Sequence, residues 1–153
     1  MKTLQFINIF LLTLVAGVLW GTWFSLSRSI ATITPGTFLE VGRIMIGNLA
    51  WPMSILMPAA MLSTFPVLFM MFRRNMMLAF FLASAGLLLF VVVLVVTLTV
   101  NVPIDNQIKQ WTVTTLPADW QAIRDRWEFY HGLRTFASLA GLACVFGSVL
   151  RTH

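Results

Sequence analysis

The sequence predicts an all-α fold, a four-helix transmembrane bundle whose second and fourth helices are long and project into an outer headpiece. Three observations carry this reading. The 153-residue chain is 59% hydrophobic and 10% charged, whereas a soluble domain is about a quarter charged. Its apolar residues gather into four runs near the length of about 20 residues that a spanning helix needs. Most of its chemistry-bearing residues lie in one polar segment, 101–132.

Each run follows in order, within a single membrane domain over 1–153. At a mean hydropathy of +0.88, the solvent for most of the chain is lipid. The first run, 3–24, follows Lys2 but lacks a small-x-small cleavage site, so it reads as an uncleaved helix. Gly17 and Gly21 form a GxxxG on it, which serves close helix packing inside the bundle or between protomers of a homo-oligomer. The second run, 44–72, is preceded by Thr34-Pro35-Gly36, a helix start with Thr34 as cap and Pro35 in the first turn. From there to Phe72 a helix would be about 57 Å long, against about 30 Å of hydrocarbon. Pro52, Pro58 and Pro66 should kink it. The third run, 76–100, meets Pro103, which should break or restart the helix and leave a short one over Ile104–Trp111. The fourth run, 133–150, extends backward to Pro117, giving a helix of about 51 Å.

The charge pattern sets an orientation. The tight link Arg73-Arg74 between the second and third runs has Lys2 and Arg151 on its side and no acid there. Arg28, Arg43, Lys109, Arg124, Arg126 and Arg134 lie on the other side, mixed with all five acids. Positive short links stay inside. Both termini are therefore expected in the cytoplasm of a bacterial inner membrane, with 101–132 outside. The net charge of +5 is explained by topology, and nucleic acid is not an expected partner.

Segment 101–132 holds Asp105, Asp119, Asp125 and Glu128, three of the six tryptophans, and His131. On a helical wheel Trp120, Arg124, Trp127, His131 and Arg134 fall within an arc of about 80°. A basic and aromatic stripe thus runs down one face to the membrane interface, where unpaired charge is costly. Asp105 lies a turn beyond Asn101. On the second helix Glu40 and Arg43 are spaced to pair with each other, and Asn48 lies at the edge of their face. If the long helices project together, Glu40 can face Arg124 or His131. The bland alternatives are an interfacial tryptophan belt, an Arg124–Glu128 surface pair and Asn101 as a cap of the short helix. The functional alternative is a pocket with a carboxylate, an imidazole, amides and indole walls, able to polarise a phenolate and move a proton.

Metal binding finds little support. Cys144 stands alone, so neither an intrachain disulfide nor a cysteine-based metal site is available. Glu40, Asp105 and His131 form a conceivable carboxylate-histidine set without supporting spacing, and His153 is terminal. No metal site and no cofactor are expected.

The order Asn101-Val-Pro-Ile-Asp-Asn106, then a tryptophan, then Arg124-x-Arg126-Trp127-x-x-x-His131-x-x-Arg134 before the last span resembles the anthrone oxygenase-like family. These are small four-helix membrane proteins, and their fungal members are associated with oxidising an anthrone to an anthraquinone without metal or flavin. The resemblance implies roles for Asn101, Asn106, Arg124, Trp127, His131 and Arg134. It departs at Asp105, where the family often has Asn. The implied chemistry needs a base (His131 or Asp105), a cation for an enolate oxygen (Arg124 or Arg134) and an aromatic slot (Trp120, Trp127). Glu40, Arg43 and Asn48 join it as substrate-contacting candidates. Three readings compete: a cofactor-independent oxygenase for a lipophilic phenolic, anthrone- or quinol-like molecule; a non-catalytic membrane subunit that binds a partner protein or quinone; and a haem- or metal-binding membrane protein.

Overall fold

A computed structural model describes residues 1–27 and 29–152. Arg28 and His153, weighed above for charge and ligation, lie outside the described residues. The described chain is helical without a strand, and four of its stretches are long and apolar enough to cross a membrane. The first is α1 (Lys2–Thr22), which continues as a π-helical turn, Trp23–Ser27. The second is α2 (Pro35–Leu62) followed by α3 (Thr64–Arg73). The third is α4 (Met77–Val96), a π-helical turn at Thr97–Asn101, and α5 (Val102–Gln110). The fourth is α6 (Trp120–Leu150).

The surface is that of a protein solvated by lipid. Phe6, Phe10, Phe65, Phe69, Phe81 and Leu88 are all more than half exposed. The inward face of α6 is instead small and polar, with His131, Thr135, Ser138, Gly141, Val145 and Ser148 buried. Lipid offers no hydrophobic drive between helices, so small residues and hydrogen bonds hold such seams. At the α4–α6 crossing Gly86 and Gly141 bring the backbones together. A Cβ on Gly86 would stand 2.7 Å from Val145 Cγ2 and 2.8 Å from the Gly141 carbonyl oxygen.

Thr34 caps α2 as its spacing predicts: its Oγ1 accepts from the Thr37 amide at 3.3 Å, and Pro35 opens the helix. Pro52 and Pro58 are carried inside α2. The break comes at Ser63, one turn before Pro66, whose missing N–H frees the carbonyl a turn upstream. Asn8 of α1 braces this break. Its amide donates to the Ala60 carbonyl (3.3 Å), Ser63 Oγ (2.9 Å) and Thr64 Oγ1 (2.8 Å). A side chain of a neighbouring helix thus ties the two sides of the break together.

Of the two proline expectations one is met and one needs correction. Pro103 restarts the third stretch as a short helix, Val102–Gln110 in place of Ile104–Trp111. The strain is absorbed upstream by the π turn, and α5 starts at Val102 with Pro103 in its first turn, where the missing amide is tolerated. Thr97 and Thr99 prepare that turn, since their hydroxyls donate to the carbonyls of Val93 and Val95, each at 2.7 Å. Such back-bonding bends helices. Pro117, by contrast, does not open α6. Its carbonyl accepts from the Trp120 amide at 3.2 Å in a turn, and the helix begins at Trp120.

A separate outer core carries the headpiece: Ile30, Phe38, Leu39, Ile104, Ile108 and Trp111, with Trp120, Ile123 and Trp127 packed against it. In the inner core Leu12, Val15, Leu19, Met57, Ala60, Phe90, Val93 and Val145 meet. Gly17 and Gly21 take part in no close crossing, because a Cβ on either would find nothing within 4 Å.

Candidate functional site

The stripe on α6 divides in two. Its outer half turns into the headpiece. Trp120 packs on Phe38, with ring centroids 5.5 Å apart, and the Arg124 guanidinium lies over Trp120 at 5.3 Å. Arg124 also donates from Nε and Nη2 to Asp125 Oδ1 at 2.9 and 2.7 Å. This is the single ion pair among the described residues, and it replaces the expected Arg124–Glu128 pair. The neighbouring carboxylate is in reach of the guanidinium as it folds back over the Trp120 ring.

The inner half, Trp127, His131 and Arg134, turns toward a cavity of about 670 Å³. That is the size of a small-molecule site. The cavity fills the gap where α2 stands away from α4, while α1 forms its back wall. At its head stand Thr97, Asp105, Asn106, Lys109, Trp127, His131 and Arg134; Thr22 and Ser54 add hydroxyls elsewhere, and most of the remaining surface is aliphatic.

These groups form one connected network. Arg134 donates from Nε (3.1 Å) to His131 Nδ1, with Nη2 also 2.9 Å from that nitrogen. It also donates from Nη1 to Thr97 Oγ1 at 3.1 Å. Because Nδ1 accepts from a guanidinium, the imidazole is neutral with its proton on Nε2. The ring stacks on Trp127, centroids 4.8 Å apart and planes 16° from parallel. Nε2 is buried without a hydrogen bond of ordinary geometry. Thr135 ties this point to α1, donating to the His131 carbonyl (2.7 Å) and the Leu19 carbonyl (3.4 Å). Asp105 Oδ1 accepts from Trp127 Nε1 at 2.8 Å. Its other oxygen has no hydrogen bond among the described residues, and Asp105 lines the cavity. Asn101, fully buried, donates to the Trp127 carbonyl at 3.2 Å; it stands at the N-cap position of α5, but its side chain makes no capping bond there.

The π turn is what assembles this. It brings Thr97 under Arg134 and Asn101 under Trp127 while α5 carries Asp105 and Asn106 onward to the cavity. Inserted turns of this kind recur at functional sites. Thr97 was not singled out from the sequence. Two hydroxyls in the run Val95-Val96-Thr97-Leu98-Thr99 were the available signal.

The second helix contributes differently from expectation. Glu40 does not meet Arg124 or His131. It lies with Arg43 beside a shallow outer depression bounded by Thr112 and Val113. Arg43 does not pair with Glu40; it donates to the Trp111 carbonyl and closes the headpiece onto α2. Asn48 lines neither recess. Apart from Ser54, the α2 residues that do line the cavity are apolar or glycine, among them Val41, Met45, Leu49, Met53 and Met57. Glu40, Asp105 and His131 do not converge, and no three of His, Cys, Asp and Glu gather among the described residues.

The fold and the site together define a class: an integral membrane four-helix protein with a lipid-level cavity, apolar along one side and headed by a carboxylate, a neutral imidazole and a guanidinium. The family model described as anthrone oxygenase matches residues 43–144, from α2 through the third span into α6. The chain belongs to this family. No curated protein and no solved structure matches it.

Proposed function

We propose that this protein is a cofactor-independent oxygenase acting on a lipophilic phenolic, anthrone- or quinol-like molecule. The observation that supports it is the convergence of Asp105, Arg134, His131 and Trp127 at the polar end of one apolar cavity. Each group has a task. The free oxygen of Asp105 removes the acidic proton of the bound substrate. The Arg134 guanidinium, facing the same cavity, holds the enolate or phenolate oxygen that results. His131 and Thr97 fix that guanidinium, and His131 acts as a positioning residue. Trp127 holds Asp105 and walls the ring.

For an anthrone the reaction balances with dioxygen alone. The carbanion passes one electron to dioxygen, and the carbon radical and superoxide combine into a peroxide on carbon. Protonation gives a hydroperoxide. Loss of the second hydrogen on that carbon then breaks the O–O bond, leaving a carbonyl and releasing water. One oxygen atom enters the substrate and the other becomes water. The test is oxygen uptake by purified protein with an anthrone under labelled dioxygen. The expected result is a single labelled oxygen in the quinone product. Uptake no faster than in buffer would reject the reading in favour of binding without turnover.

The topology proposed with it places Arg73-Arg74 and both termini in the cytoplasm of the bacterial inner membrane. Thiol labelling from outside should reach a cysteine at Thr114 and not one at Asn75; the opposite pattern inverts the protein.

A further inference from the structure

The cavity is longer than a compact ring system needs. Its lining on α2 runs from Phe38 to Pro58, about 30 Å of helix. All the charged groups stand on the third span and α6, from Arg134 outward. Deeper, Met57 packs with Leu12, Val15 and Phe90 in the inner core. On α1, Leu19 accepts from Thr135 beside the polar head, and Asn8, about three turns deeper, holds Ala60 just past Met57, so the lining at Met57 lies about 10 Å below the head.

The long side is also open. Ala50, Ser54 and Pro58 form one exposed stripe on α2, and Leu98, Val102 and Asn106 form another on the third span. All six line the cavity. It is therefore a slot with two exposed lips, and the medium outside it at this depth is acyl chain.

We infer that the occupant is a single amphiphile: a phenolic or quinol ring carrying an alkyl or isoprenoid tail, loaded sideways from the bilayer. The ring sits at Asp105, Arg134 and the stacked Trp127–His131 wall. The tail runs down the slot between α2 and α4 toward Met53 and Met57. This rests on the proposed function for the ring and goes beyond it in requiring the tail. A compact tricycle would leave the deep arm empty.

The experiment measures binding of a decyl-substituted benzoquinol and of its methyl counterpart to the full chain in nanodiscs under argon. Wild type should prefer the decyl compound by about tenfold or more, as burial of several methylenes requires. Ala50→Phe and Met53→Trp narrow the arm and should collapse that preference. Two positions are used because Met53→Trp alone can fail to fold; Ala50 faces lipid. Phe81→Ala, exposed and away from the slot, should keep the preference, so partition into the bilayer cancels. Arg134→Met should weaken both compounds together. A preference that survives both slot variants overturns the tail. So does decyl binding that ignores Arg134→Met, which would mark a groove for bulk lipid. Equal affinity for the two compounds overturns the tail and leaves the ring site standing. Binding of neither overturns the ring site as well.

Discussion

The α4–α6 seam and the α2–α4 slot use the same helix in opposite ways. Toward α6, Gly86 and Gly141 let backbones approach until a methyl group would collide. Toward α2, the helices stand apart and enclose about 670 Å³. A seam without volume carries stability, because close packing and small residues are what bind helices in lipid. A slot lined with polar groups costs stability and is kept for function. Network members Thr97, Asp105, Trp127, His131 and Arg134 all lie on the slot side, and the closest-packed glycines lie on the seam side. Substitutions on the two sides should therefore fail in different assays.

The largest effect is expected at the slot. Asp105→Asn keeps an oxygen for Trp127 Nε1 and so should leave the thermal unfolding midpoint in place. It removes the base and should lower turnover by about 10²–10⁴-fold. A variant that unfolds early with normal turnover per folded molecule would make Asp105 a structural residue.

At the seam the contrast reverses. Gly86→Val must displace Val145 and the Gly141 backbone, and overpacking of this kind costs about 1–3 kcal/mol or more. Unfolding in detergent should shift accordingly, or inserted protein should be lost. Gly17→Ala is the control: with nothing within 4 Å of its Cβ, it should change monomer stability by no more than about 0.5 kcal/mol. A strong effect at Gly17 on self-association would instead assign the GxxxG to a homo-oligomer contact.

His131 belongs to both sides, since it is buried in α6 and lines the slot. His131→Leu leaves Arg134 only Thr97 of its two acceptors and a buried guanidinium under-satisfied, costing about 1–3 kcal/mol, so stability and turnover should fall together. His131→Gln restores an acceptor oxygen and should recover the unfolding midpoint and most of the turnover. Full stability with no turnover in His131→Gln would move the proton transfer from Asp105 to His131.

The sequence made the spans, the Thr34–Pro35 start and the α6 stripe legible, because apolar run length and helical spacing are local properties. The partners were not local. Glu40 looked like a carboxylate for His131 because both helices project together, yet helix rotation sends Glu40 to the outer depression. Pro103 and Pro117 announced irregularity, but not that one would be absorbed by a π turn and the other by a reverse turn. That π turn shifts the face of everything after Thr97, so Asn101 and Asp105 reach Trp127 by a register no regular wheel gives. Gly86 and Gly141 were passed over for Gly17 and Gly21, since a glycine's spacing says nothing of what stands opposite. The aliphatic α2 wall was invisible for a plainer reason: in a membrane helix, lipid-facing and cavity-facing residues have the same composition.

On the proposed reading, substrate enters and sits in the slot between α2 and the third span. Ala50 and Leu98 stand on its two lips. With Cys144 replaced by Ser, cysteines at these two positions can be bridged by a reducible bifunctional thiol reagent. Oxygen uptake with the decyl quinol should be normal before bridging, lost after it, and restored by reduction. Undiminished uptake in fully bridged protein would mean that substrate reaches the site by another route.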